Sequence, residues 1–181
     1  MQKIIVRHDD FDFRLKTEEY IAIHEKFIKR NLIETAVVQY TKDGRERVYD
    51  KELIEYMNTA PNWDIQLHGW AHDEYDKLTQ SEIADALQNS LNMSMKLFNK
   101  YPTVWYPPWN RRNEDMEIVA EAFGLTISNE SYDISKFIRE SRAGVYKGTS
   151  IYFHGWKADE MACLDEALNC VEEVNFIGGA K

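Results

Sequence analysis

Lys3-Ile4-Ile5-Val6-Arg7-His8-Asp9-Asp10 is an apolar run of strand length that ends on two adjacent acids. The strand is read as Lys3 to Arg7, with the carboxylates just past its C-terminal end. Neighbouring aspartates are poor sheet residues and repel each other, so their placement asks for an explanation such as a cation. The plain alternative is an exposed acidic turn continuing into Asp12. Successive strand side chains point to opposite faces, so Asp9 and Asp10 share a site only if the strand ends there and the backbone turns.

Working outward, the same motif of a short apolar strand followed by a helix recurs along the chain. Further strands are expected at Thr35–Tyr40, Trp63–His68, Thr103–Tyr106, Leu125–Ser128 and Ser150–His154. A helix from Thr17 to about Arg30 would bury Tyr20, Ile21, Ile23, Phe27 and Ile28. Asp50 caps a short helix carrying Leu53, Ile54 and Met57, and Thr79 with Glu82 forms a capping box that opens a long helix ending near Asn99. Asn113 caps the next, with Gly124 at its C-terminal end, and a last helix runs from about Ala158 to Val174. Thr41–Arg47 reads as a loop, and Tyr132–Gly148 shows no clear period. Alternating strands and helices predict an α/β fold with a largely parallel sheet, in one domain over residues 1–181.

Composition narrows the function. A chain of 181 residues with 44% hydrophobic content can bury a substantial core. Its net charge of -9 repels phosphate backbones and anionic lipid, which speaks against nucleic-acid and membrane partners. The N-terminus turns charged after three apolar residues, and no run reaches membrane-spanning length. Cys163 and Cys170 lie two helical turns apart, about 10 Å, too far for a disulfide within one helix. A reduced, cytoplasmic protein is expected.

The polar residues fall at strand C-termini: Asp9 and Asp10 after the first strand, His68 after the third, Pro107 and Trp109 after the fourth, Asn129 and Glu130 after the fifth, and His154 after the sixth. In parallel α/β barrels that rim is where active sites are built. His68-Gly69-Trp70-Ala71-His72 sets two imidazoles four apart, a spacing that can turn both toward one cation. The motif alone leaves open that one histidine merely caps or packs. Joined by one carboxylate, the pair makes a two-histidine, one-carboxylate set with room for water, which suits a catalytic metal site. His154 ends a strand as a general acid would, although a structural histidine fits there too. His24, mid-helix, reads as structural, and His8 should point away from whichever neighbour faces the barrel axis. Trp70, Trp105, Trp109 and Trp156 border these segments; aromatic faces suit sugar rings and also pack barrel ends.

Arg7-His8-Asp9-Asp10, His68-Gly69-Trp70-Ala71-His72, Trp105-Tyr106-Pro107-Pro108-Trp109 and Ile151-Tyr152-Phe153-His154, in that order, resemble the ordered motifs of the polysaccharide deacetylase superfamily, carbohydrate esterase family 4 with its NodB-homology domain. The resemblance implies a deformed, incomplete (β/α) barrel of TIM-like type. It implies one divalent ion on Asp10, His68 and His72, with Asp9 as general base and His154 as general acid. Zinc is favoured because imidazole and carboxylate suit it, with cobalt or manganese as replacements. Substrate contacts are expected from Tyr106, Pro107, Trp109, Arg111 and Trp156. The implied reaction is removal of N-acetyl groups from an amino sugar. Its rivals are the same machinery acting on another amide, a cyclic imide or an O-acetyl ester, and a non-catalytic sugar-binding module.

This sequence departs from the family pattern at several points. Phe11 stands where a glycine follows the aspartates. Tyr106 replaces the arginine before Pro-Pro that orients the base, leaving Arg111 or Arg112 to reach in. The aspartate and tryptophan cluster that tunes the acid histidine is not recognisable, with Glu130 or Asp133 the nearest substitutes, and Tyr152 stands in place of a leucine.

Overall fold

A computed structural model describes residues 4–42, 45–46, 49–128 and 132–179. The strands are β1 (Ile5–Phe11), β2 (Glu34–Gln39), β3 (Thr41–Lys42), β4 (Arg45–Glu46), β5 (Trp63–Gly69), β6 (Val104–Trp105), β7 (Thr126–Ile127), β8 (Tyr132–Asp133) and β9 (Ser150–Phe153). The helices are α1 (Thr17–Ile28), α2 (Lys51–Thr59), α3 (Gln80–Phe98), α4 (Glu114–Ala122), α5 (Ile134–Arg142) and α6 (Ala158–Gly179).

Seven strands form one sheet in the order β7-β6-β5-β2-β1-β9-β8, and every pairing in it is parallel. Parallel strands need helical crossovers that cover the sheet. Every residue of β2 is accordingly buried. The sheet curls into a half-barrel, and β1 lies between β2 and β9, so the acids near the end of β1 stand beside the histidine after β9.

Two apolar clusters flank the sheet. One joins Phe11, Tyr20, Val38, Leu67, Leu87 and Trp105; the other joins Val6, Phe27, Phe137, Ile151, Phe153 and Leu164. The inner face of α1 is Thr17, Tyr20, Ile23, His24 and Phe27, whereas Ile21 and Ile28 are only half-buried. Caps act where the sequence places them. The side chains of Asp50 and Asn113 accept from the N–H groups of Glu52 and Met116, and Thr79 with Glu82 closes a capping box.

Three segments differ from expectation. The segment without clear period, Tyr132–Gly148, holds β8 and α5, the latter capped by Asp133 accepting from the Lys136 N–H. Only Ile134, Phe137 and Ile138 of α5 turn inward, too few to stand out as a period. The expected loop after β2 contains the β3-β4 hairpin. Strand β1 runs on through both aspartates to Phe11 instead of stopping at Arg7. Asn129 and Glu130 lie outside the described residues.

Candidate metal centre and active site

Strand β1 delivers both acids to one side by a bulge. His8 pairs with Ala36 and Phe11 with Val38, so β1 spends one residue more than β2 between these points. The extra residue is absorbed at Asp10, whose φ is 52°, a left-handed conformation that aspartate tolerates better than most residues. Strand alternation sends Val6 and His8 toward the helices and Arg7 and Asp9 toward the barrel interior. The bulge then keeps Asp10 on the cleft side and returns Phe11 to the core.

His68 lies near the end of β5, and His72 follows in a bend rather than a helical turn. The bend is tied by Tyr75, which is buried. Its hydroxyl accepts from the N–H groups of Trp70 (2.9 Å) and Ala71 (3.3 Å) and donates to the Ala71 carbonyl (3.1 Å). Gly69 permits this approach: its φ is 147°, and a Cβ there would sit 2.4 Å from the Tyr75 oxygen.

Asp10 Oδ1 is 3.0 Å from His68 Nε2 and 3.2 Å from His72 Nε2, and one ligand atom from each of the three residues falls within 4.8 Å of the others. His68 Nδ1 donates to the Tyr106 carbonyl at 2.7 Å, which fixes a proton on that nitrogen. In a neutral ring Nε2 is then a bare lone pair, and it is buried with no hydrogen-bond partner. A lone pair facing a carboxylate oxygen at 3.0 Å calls for positive charge between them, and a cation on a ring whose other nitrogen is held by a carbonyl supplies it. Burial alone would raise the Asp10 carboxyl; when a proton rather than a cation stands on the facing nitrogens, the hydrogen bonds and charges of His68 and His72 more than reverse this and hold it well below the usual carboxylate range. The residues present therefore fit a divalent ion.

Arg7 answers the question left by Tyr106. It is fully buried, and it grips Asp9 with Nε to Oδ1 at 3.1 Å and Nη2 to Oδ2 at 2.6 Å. Its guanidinium lies 4.4 Å from the Tyr106 ring centroid and 5.7 Å from that of Tyr152. Tyr106 is thus a buried wall behind Arg7. Arg111 and Arg112 do not reach in: Arg111 pairs with Glu74 at 2.6 Å and Arg112 with Glu117 at 3.3 Å on the surface.

His154 is oriented by a residue that the sequence reading did not single out. Glu160, in the first turn of α6, accepts from the His154 backbone N–H and lies 2.9 Å from its Nδ1, which leaves Nε2 facing Asp10 Oδ2 at 3.9 Å. Burial pushes the Glu160 carboxyl up, but its bonds with His154 and Lys157 outweigh this and lower it. Asp133, occupied as the cap of α5, does not serve His154. The spacing His154-x5-Glu160, one turn into a helix that follows the strand, was the available signal.

Asp9, Asp10, His68, His72 and His154 share one cleft of about 330 Å³, walled by Pro107, Trp109, Tyr152 and Trp156. Trp109 and Trp156 are 52% and 41% exposed, with the Arg111 guanidinium 5.5 Å from the Trp109 ring centroid and that of Arg14 4.7 Å from the Trp156 centroid. Trp105, by contrast, is buried and donates its indole N–H to the His68 carbonyl. Trp109 and Asn110 both have positive φ, 54° and 53°, which presents the Trp109 ring 4.3 Å from that of His72. Cys163 and Cys170 both lie in α6 and form no disulfide. No helix among the described residues is long and apolar enough to cross a membrane.

The C-terminal rim of this incomplete parallel α/β barrel thus brings together two histidines and one carboxylate, with Asp9 held by Arg7 and His154 held by Glu160 beside them. The polysaccharide deacetylase family model matches residues 21–128, more than half of the chain, and the chain belongs to that family. No curated protein sequence matches it. Among solved structures it is similar to the family 4 carbohydrate esterase from Streptomyces lividans in complex with acetate, at 16% identity and TM-score 0.74, over 96% of this chain and 89% of that one. It is similar too to a family 4 acetyl xylan esterase from Clostridium thermocellum in complex with a cobalt ion, at 14% identity and TM-score 0.71, over 98% and 85% of the chains. A family 4 pseudoenzyme from Bacillus anthracis has TM-score 0.75 at 15% identity, with 96% of this chain covering 61% of that one. At these identities the likeness speaks for the fold.

Proposed function

We propose that this chain is a metal-dependent deacetylase that removes N-acetyl groups from an amino-sugar substrate, with Asp10, His68 and His72 as the metal ligands. The observation that carries the reading is the convergence of His68 Nε2 and His72 Nε2 on Asp10 Oδ1, at 3.0 and 3.2 Å, in a cleft that also holds Asp9 gripped by Arg7 and His154 gripped by Glu160. Three protein ligands leave positions open, as catalytic zinc sites require. A divalent ion held there would polarise the acyl carbonyl and lower the pKa of the attacking water toward about 7.

Asp9, aligned by Arg7, accepts the proton of that water. His154, whose Nδ1 is held by Glu160, presents Nε2 to the opposite side of the reacting carbon and protonates the departing amine. Pro107 and Trp109 on one side, and Trp156 on the other, form the walls against which a sugar ring stacks. The cleft volume lies at the lower end of the ~300–1,000 Å³ typical of ligand pockets, which suits a single ring at the metal with any further residues outside.

A non-catalytic sugar-binding module was suggested by the lost arginine and the lost acid-tuning cluster. Arg7 and Glu160 meet both needs in space, which supports the catalytic reading. The test is acetate release by the metal-reconstituted protein across N-acetylated and O-acetylated sugars. Release from N-acetylated sugars is expected. Release from O-acetyl esters alone would move the assignment to an esterase, and tight glycan binding without release would favour the module.

A further inference from the structure

Behind the cleft, between β1, β2 and α1, lies a polar cluster that the proposed chemistry does not use. His8, His24 and Glu34 are all at most 1% exposed. Glu34 takes one histidine on each oxygen: His8 Nδ1 at 2.8 Å from Oε1 and His24 Nδ1 at 2.9 Å from Oε2. His24 Nε2 lies 2.8 Å from the Pro61 carbonyl, and the ring stacks on Trp63 with centroids 3.7 Å apart. At the other end the Gly155 backbone N–H donates to His8 Nε2 at 3.1 Å.

The donors and acceptors fix where the protons are. An amide N–H can only donate, so His8 Nε2 carries no proton; His8 then holds its proton on Nδ1 and donates it to Glu34. A carbonyl can only accept, so His24 Nε2 is protonated, and a single proton lies between His24 Nδ1 and Glu34 Oε2. With every bond made, the cluster as a whole carries no net charge, which is how three ionisable groups are tolerated when buried away from bulk solvent.

What the cluster holds in place is the turn His154-Gly155-Trp156-Lys157, closed by the Lys157 N–H donating to the His154 carbonyl at 3.0 Å. Gly155 sits between the histidine and the tryptophan that line the cleft. A Cβ on Gly155 would stand 2.5 Å from His8 Nε2, so the glycine is what lets the turn come this close. His8 itself is clamped by Phe153, stacked at 4.6 Å, and by Phe11 at 5.0 Å.

We infer that His8 is a positioning residue: a neutral imidazole, protonated on Nδ1 and set in that tautomer by Glu34 and His24, whose bare Nε2 anchors the Gly155 N–H and so fixes His154 and Trp156 against the cleft. The inference rests on the proposed role of His154, but its geometry is testable separately. A long-range 1H–15N spectrum of the histidine rings in the full-length protein should show His8 protonated on Nδ1 only. His8→Phe keeps the ring packing and removes the acceptor. It should keep the melting temperature within a few degrees and bind one zinc ion, yet lose about ten- to a hundredfold in kcat with KM within about threefold, the scale of a small misplacement. Glu34→Leu should behave likewise. Glu34→Gln should restore turnover, because its amide oxygen accepts from His8 and its NH2 donates to a neutral His24. Gly155→Ala, which pushes the turn off an intact His8, covers the case in which His8→Phe fails to fold, and should lose kcat in the same way. A His8 ring protonated on Nε2, or parental kcat in folded His8→Phe or Gly155→Ala, overturns the inference. If the parent protein deacetylates nothing, the proposed function falls, while the ring spectrum still decides the arrangement of His8.

Discussion

Arg7 holds Asp9 through two parallel hydrogen bonds, from Nε to Oδ1 at 3.1 Å and from Nη2 to Oδ2 at 2.6 Å, although the two residues lie only two apart on one strand. Strand alternation makes this possible, because residues i and i+2 share a face. The fork fixes the carboxylate plane, which a point charge cannot do. Arg7→Lys is therefore expected to keep metal and fold but lose about a hundredfold in kcat. Arg7→Met leaves Asp9 buried without a partner and should cost about 3–5 kcal/mol of stability. Turnover, metal content and chemical denaturation of the two variants check this; parental turnover in Arg7→Lys would show that alignment of Asp9 is not needed.

Asp9 and Asp10 are predicted to fail differently. Asp9→Asn should retain the metal and lose most activity, since an amide cannot accept the water's proton. Asp10→Asn should weaken metal affinity strongly, since a neutral amide is a poorer ligand for a divalent ion. Metal occupancy read beside turnover distinguishes them, and the opposite pattern would exchange the roles.

Glu160 links activity and stability to pH. Its carboxyl is lowered in the folded protein, so its contribution to stability is complete above the ordinary glutamate range and is lost as pH falls through the depressed value. Glu160→Gln should therefore be less stable than the parent at neutral pH, with the gap closing in acid. Its kcat should fall about tenfold or more while zinc remains bound, because Nδ1 of His154 loses its charged partner. Denaturation curves across pH test the first part; a gap that widens in acid would contradict it.

Tyr75 ties the bend that brings His72 to Asp10. Tyr75→Phe strips the Trp70 and Ala71 N–H groups of their acceptor and should cost about 1–3 kcal/mol. Zinc affinity should fall with it, since His72 is displaced while His68 stays on its strand. Calorimetric titration with zinc gives the answer, and unchanged affinity would mean that the bend holds itself.

The amino-acid sequence made the parallel α/β plan legible because helix caps and strand-length apolar runs are local signals. Asp50, Thr79, Glu82 and Asn113 all cap the helices they announce. The convergence of Asp10, His68 and His72 on one candidate metal site was legible too, from two histidines at short spacing and a pair of acids following an apolar run. Arg7 and Glu160 were not. Arg7 looks like the polar end of a strand until alternation and register place it behind Asp9, opposite Tyr152. Glu160 reads as an ordinary first-turn acid, and its partnership with His154 depends on how sharply the chain turns at Gly155. The bulge at Asp10 was concealed for a similar reason: it depends on the register of β1 against β2, which no local pattern encodes.

Acetate release from N-acetylglucosamine oligomers by metal-free protein, measured as zinc is added back, tests the central claim most directly. The account predicts that release rises from background and saturates at about one zinc per chain, and that the His68→Ala protein shows no such rise over the same zinc range. Release that is independent of zinc, or that saturates equally in His68→Ala, would contradict it.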